Sequence, residues 1–191
     1  MTTGSVSPRR ADTRRNHERI LAVAAEFLAK TGEVSFNAVA KQAEVGVGTV
    51  YRHFPTPEAL ILAVYQREVR HLVDVVPTLL DEHPPKDAFR IWITDHLARY
   101  MMTKRGLAKA LSAATASRGE LPASAMRSMG DAVQTLLKAN VDAGTVRADL
   151  DADTVIRGLG GLLYLNPDRD WKTQTAQLVD LLWRGMCADC H

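Results

Sequence analysis

Chemistry in this sequence concentrates in one short run. Gly46-Val47-Gly48-Thr49-Val50-Tyr51-Arg52-His53-Phe54 places two glycines and a threonine ahead of a phenol, a guanidinium and an imidazole. Such O–H and N–H donors suit phosphate oxygens and base edges, and Thr49 also suits a thymine methyl. The small residues Gly46, Gly48 and Thr49 let a backbone come close to a large partner. A dinucleotide loop would need a third glycine where Tyr51 stands and a strand in front of it, and the G-x-x-x-x-G-K phosphate loop is absent. Other reactive groups are sparse. His71 and Asp74 lie three apart on one helix face and could ligate a metal, but a solvated surface is the simpler reading. Cys187-x-x-Cys190-His191 has the spacing of c-type haem attachment, of a reversible disulfide and of half a zinc site; plain tail thiols are the simplest of these readings. No G-x-S-x-G, H-E-x-x-H or paired-carboxylate pattern appears, so no enzyme and no cofactor is expected.

Charge supports a polyanionic partner locally rather than globally. The 191 residues carry a net charge of only +2, yet residues 1–19 hold Arg9, Arg10, Arg14, Arg15 and Arg19 against Asp12 and Glu18. A basic arm of this kind suits nucleic acid and also suits a solvated tail. No apolar run approaches the roughly 18 residues that a bilayer requires, so no membrane partner is expected. The N-terminal stretch lacks the apolar centre of a signal peptide, so the expected location is cytoplasmic.

The elements that must position these groups read as helices throughout. Ile20, Ala24, Phe27 and Leu28 form one apolar face, which Gly32 ends. Ser35 is placed to cap a short helix bearing Phe36, Val39, Ala40 and Ala43, and Val47, Val50, Tyr51 and Phe54 repeat the spacing a few residues later. Val50 and Phe54 are core positions. Tyr51 either projects outward or keeps its ring in the core with only its hydroxyl outside. Thr56-Pro57-Glu58 starts a long helix that Pro77 kinks or ends. Five further helices follow: about residue 87 to 102, 104 to 116, near Pro122 to Gly144, from a cap at Asp151 or Asp153 to near "NPDRD", and one carrying Trp171 to Met186. The fold class is all-α with about nine helices: an N-terminal three-helix unit with a helix-turn-helix, joined to a larger bundle. Residues 1–15 read as a disordered basic arm, 16–55 as the helix-turn-helix DNA-binding domain, and 56–191 as a larger helical domain.

Residues from about Asn16 to Val64 resemble the DNA-binding domain of the tetracycline-repressor (TetR) family of bacterial regulators. The resemblance rests on "RILAVAAEFLAKTG", "SFNAVAKQAEVGVGTVYRHF" and "PEAL". It implies that Thr49 and Tyr51 face DNA, that Val47 and Gly48 face the groove, that Ser35 touches a phosphate and that His53 sits near the backbone. With Phe36 and Asn37 at the start of the second helix, Arg52, and Arg14 and Arg15 in the arm, these make up the expected DNA-contacting set. Three positions depart from the family pattern. Glu44 occupies the usual glycine of the turn, Gly46 replaces a capping Ser or Thr, and Pro57 replaces a phosphate-reaching Lys. Glu44 must either avoid positive φ or absorb strain.

The same resemblance implies a homodimer formed by the last two helices, with Leu159, Gly160, Leu163, Leu178, Leu182 and Trp183 as candidate interface residues. The glycines of "IRGLGGLLYL" serve equally for packing within the chain. It also implies a small-molecule effector cavity in the bundle, with Trp92, His96, Tyr100, Met101, Met126 and Met129 as candidate lining and a mostly apolar effector. The expected protein is a ligand-responsive transcriptional regulator, a repressor in the family's usual sense, acting on a near-palindromic double-stranded DNA operator. The alternative is a helical protein-interaction module without sequence-specific DNA binding.

Overall fold

The computed structural model describes residues 8–116 and 123–188. Its helices are α1 (Pro8–Thr31), α2 (Phe36–Gln42), α3 (Val47–His53), α4 (Pro57–Glu82), α5 (Pro85–Ile91), α6 (Arg99–Thr103), α7 (Arg105–Thr115), α8 (Ala123–Asp142), α9 (Ala152–Leu159) and α10 (Trp171–Met186). A π-helical stretch, Trp92–Ala98, joins α5 to α6, and a 3₁₀ segment, Gly160–Tyr164, extends α9. No strand is assigned among the described residues, and none of their helices is long and apolar enough to cross a membrane.

The helix ends follow from local chemistry. Gly32 and Gly144 take φ of +73° and +68°. That left-handed region is open to glycine and stops α1 and α8 where the sequence indicates. The Thr56 hydroxyl accepts the Ala59 N–H at 3.2 Å. Pro57 fills the first position of α4. The Glu58 carboxyl is held below the usual range by its own backbone N–H and by the Thr56 hydroxyl. Asp151 caps α9 through the Thr154 N–H at 2.8 Å, and Asp170 caps α10 through the Thr173 N–H at 3.2 Å. Ser35 stands at the N-cap of α2 but its side chain makes no capping bond. Helix α4 does not stop at Pro77; it runs through to Glu82. Residues 8–15, expected as a disordered arm, are the first two turns of α1.

The chain divides into two compact units, Met1–Arg67 with Lys104–Glu120, and Glu68–Thr103 with Leu121–His191. This departs from a division at residue 55: the first part of α4 and all of α7 belong with the helix-turn-helix. The core of the first unit draws Ile20, Leu21, Ala24 and Leu28 from α1, Val39 from α2, Val50 from α3, Leu60 and Val64 from α4, and Leu107 from α7. Helix α7 lies directly against α1, with Gly106 over its C-terminal end.

The second unit is built around Phe89, Trp92, Ile93, Val133, Leu136, Leu137, Leu162 and Val179. Its fully buried Asn140 has its polar atoms answered. The amide donates to the Leu136 and Pro85 carbonyls at 2.8 and 2.9 Å, and the amide oxygen accepts the Thr145 hydroxyl at 2.8 Å. An antiparallel bridge pairs Val146 with Cys187. The Arg147 N–H donates to Met186 and the Ala188 N–H to Thr145, at 3.0 and 3.4 Å. Cys187 is half-buried here, whereas Cys190 and His191 lie outside the described residues.

Two candidate dimer residues belong to this core instead. Leu159 is buried, and so is Trp183, which packs on Phe89 at 5.8 Å under the Lys86 ammonium, 5.6 Å from the ring centre. Leu178 and Leu182 are half-buried against the same cluster. A Cβ on Gly158 would come within 3.0 Å of Leu182, and one on Gly161 within 3.2 Å of Leu178, so these glycines serve packing within the chain. Gly160 has no atom that close, and Leu163, Tyr164 and Leu181 are exposed.

Candidate nucleic-acid interface

The candidate contact face is built on α2, the turn after it and α3. Helix α3 has only seven residues, and Val50 alone among them is buried. That single anchor, continued by the buried Phe54, leaves the rest of the helix outward. Val47 is 41% exposed and Tyr51 55% exposed. The Tyr51 ring therefore stands out of the core. It is braced edge-on by Phe36, 4.7 Å away at 65°. Phe36 itself is 7% exposed, so it supports Tyr51 from below and is not an outward contact residue.

Arg52 is folded back along its own helix. Its Nε donates to the Gly48 carbonyl at 3.2 Å and its Nη2 to the Thr49 hydroxyl at 3.0 Å. This arrangement fixes a guanidinium beside the half-buried Thr49. Ser35, Asn37 and Gly48 are exposed; His53 is half-buried. Arg14 and Arg15 are exposed on the second turn of α1, where Asp12 pairs with Arg15. Arg19 is steadied by Asn16 at 2.7 Å.

The turn resolves the question posed by Glu44. Its φ is +53°, in the left-handed region. The Glu44 N–H donates to Lys41 at 3.4 Å and the Val45 N–H to Ala40 at 3.0 Å. These are the two bonds of a Schellman closure, which needs a left-handed residue after the cap. The turn's geometry is thus kept, and glutamate absorbs the strain. Left-handed backbone costs a non-glycine residue about 1–2 kcal/mol, part of which glycine returns through its freer unfolded state. Glu44→Gly is expected to raise stability by roughly 1 kcal/mol; urea unfolding with a lower midpoint than wild type would contradict this.

Sequence reasoning missed His17. It stacks on Phe54 at 5.0 Å and 27° and lies 5.4 Å from His53. Extending the Ile20, Ala24, Leu28 stripe back one turn lands on it, but a polar residue there carries no apolar signal.

The effector candidates lie in the second unit. Trp92 is fully buried, and its indole N–H donates to the Leu72 carbonyl at 2.8 Å. It is a core residue whose polar handle is already committed. Tyr100, Met101 and Met129 are partly buried against the same core, and His96 is half-buried within the π stretch. The Met126 side chain lies outside the described residues. His71 and Asp74 are exposed on α4, and no group of three or more metal-ligating side chains occurs among the described residues.

A three-helix unit with a short, exposed, donor-bearing third helix, followed by an all-helical unit, defines the helix-turn-helix class of regulator. The profile of bacterial regulatory proteins, tetR family, matches residues 20–64, and that of the transcriptional regulator SbtR-like C-terminal domain matches residues 84–188. A TetR transcriptional regulator from Streptomyces coelicolor is 36% identical, with a TM-score of 0.72 over 90% of this chain and 98% of that one. A TetR transcription regulatory protein from Mycobacterium vanbaalenii is 32% identical, with a TM-score of 0.71 over 94% and 99%. An HTH-type transcriptional regulator of Staphylococcus aureus (strain USA300) is 26% identical over 107 residues, a match spanning 54% of this chain and 57% of that relative's length. The chain belongs to the TetR family of bacterial transcriptional regulators.

Proposed function

We propose that this chain is a ligand-responsive repressor that holds a near-palindromic DNA operator as a homodimer and releases it when a small, mostly apolar effector binds. The observation that carries the DNA reading is α3, with Val47 and Tyr51 projecting from a helix anchored by Val50 and Arg52 fixed beside Thr49. Two-fold pairing suits such a short helix, because one recognition helix spans only a few base pairs and a second must sit about one turn, ~34 Å, or more along the duplex. Exposed Leu163, Tyr164 and Leu181 offer the apolar surface for that pairing. Tyr100, Met101, Met129 and His96 are the residues left to meet an effector, with Met supplying an adaptable wall. An effector acts only through a difference in affinity between the DNA-bound and free states. The reading assigns the chain no reaction of its own and a cytoplasmic site of action.

The test is fluorescence anisotropy with DNA from upstream of its own and neighbouring genes, at two salt concentrations. Saturable binding of two chains per duplex is expected at one near-palindromic segment, weakening as salt rises. Tyr51→Ala and Thr49→Ala should each weaken it by about tenfold or more, equivalent to roughly 1–3 kcal/mol per contact. Failure to prefer any segment, including after selection from random sequence, would favour the protein-interaction module.

A further inference from the structure

At the edge of the contact face, two imidazoles from different helices meet. His17 of α1 and His53, the last residue of α3, have ring centroids 5.4 Å apart at 59°. Both rings neighbour Phe54: His17 stacks on it at 5.0 Å, and His53 lies tilted to it by 39° at 6.2 Å. Both residues are half-buried, so neither is sealed in the core. Among the described residues neither has a hydrogen-bond partner.

The surrounding charges do not answer them. On α1, Glu18 reaches Arg67 at 3.7 Å, and Arg14 adds a cation one turn earlier. Helix α2 contributes Lys41, exposed in its last turn. At the start of α4, Glu58 is taken up by its own backbone N–H and the Thr56 hydroxyl. Burial, then His17, then Arg52 push the His53 imidazole below the ordinary histidine range. Side chains that repel one another when charged, set together with no acid between them, are arranged for an anion from outside.

We propose that His17 and His53 together seat one phosphodiester of the DNA backbone, each donating an imidazolium N–H to a different non-bridging oxygen. Charge-assisted N–H···O bonds of about 2.8 Å fit across rings at this separation. The seat rests on the DNA-binding reading and adds a second helix and a proton requirement to it. The sign follows from linkage. Free His53 is disposed to be neutral near pH 7, and an adjacent phosphate favours its charged form. The complex then holds more protons than its free components, so affinity rises as pH falls through the window between the lowered free value and the raised bound one.

The experiment is anisotropy with a pH-insensitive dye on the preferred duplex and on a scrambled one, from pH 5.5 to 8.5 at constant ionic strength. For wild type, log K should fall with rising pH, by up to about one unit per pH unit for each proton taken up. His17→Gln and His53→Gln should each weaken binding by about three- to tenfold at pH 6 and much less at pH 8, with the salt slope at pH 6 shallower by about one. Their preference for the operator over the scrambled duplex should be unchanged, because a phosphate contact carries no sequence information. Circular dichroism checks that both variants fold, and His17→Gln is the decisive one because its ring is furthest from α3's own contacts. A pH-independent wild-type affinity, or a His17→Gln variant with the wild-type pH slope, overturns the seat while leaving DNA binding intact. Absence of binding to any duplex at every pH removes both.

Discussion

Gly106→Ala is expected to destabilise the first unit, although the same change in an ordinary helix would stabilise it. A Cβ at Gly106 would lie 2.0 Å from the Leu28 carbonyl oxygen, 2.9 Å from the Gly32 nitrogen and 3.1 Å from the Gly32 Cα. These are backbone atoms, and the Leu28 oxygen already accepts the Gly32 N–H at 3.0 Å where α1 ends. No side chain can rotate away to make room, so α7 must move off α1. Overpacking costs typically about 1–3 kcal/mol, and more when backbone must shift. Alanine's better helix propensity returns only about 1 kcal/mol. A net loss of roughly 2 kcal/mol corresponds to a fall in Tm of about 4–8 °C for a chain of this length. Gly130→Ala is the control: nothing lies within 4 Å of a Cβ there. It should raise stability by about 0.5–1 kcal/mol. Thermal unfolding of both variants decides the matter; equal stabilisation by the two would mean that α7 does not hold this contact in solution.

The larger effect is expected at Trp92. If it is core, as its burial and its bond to Leu72 indicate, Trp92→Ala should cost about 3–5 kcal/mol. The second unit should then melt roughly 6–20 °C lower. Trp92→Phe keeps most of the apolar volume and deletes the 2.8 Å bond to the Leu72 carbonyl. That change should cost on the order of 1–2 kcal/mol. An effector-lining tryptophan would give the opposite pattern: little change in melting and a large change in the effector concentration needed to release DNA.

The helix-turn-helix was legible because its residues are local signals. Gly32, Thr56 and Pro57 act within one turn of chain, and the apolar spacing of Val39, Val50 and Phe54 is that of helices with one buried face. What the sequence hid depends on which neighbour an apolar face meets. Leu159 and Trp183 show the same period whether they face their own chain or another, and only their burial assigns them to this chain's core. Trp92 was ambiguous for the same reason. The attachment of α7 to α1 was invisible because its closest approach is made by Gly106 over Leu28 and Gly32, and a residue without a side chain leaves no pattern. Phe36 lies inward because the residue that opens α2 also has an inner side, which here braces Tyr51. The π stretch was hidden as well: a helix from about residue 87 to 102 reads the same in sequence whether its hydrogen bonds span four residues or five.

The two units are interleaved along the chain, and that has a consequence for how the protein is made. Residues 1–67 contain all three helix-turn-helix helices, yet their unit is completed only by residues 104–120. A nascent chain that has just released α3 from the ribosome still lacks Leu107 and Gly106, so α1 exposes the strip they cover. Unit two begins emerging before unit one is finished, and it waits in turn for Cys187 to reach Val146. Neither unit corresponds to a continuous fragment. A fragment cut after residue 67 would therefore carry the exposed residues of α3 on an incomplete core, and hydrogen exchange along α1 should be faster in that fragment than in the whole chain.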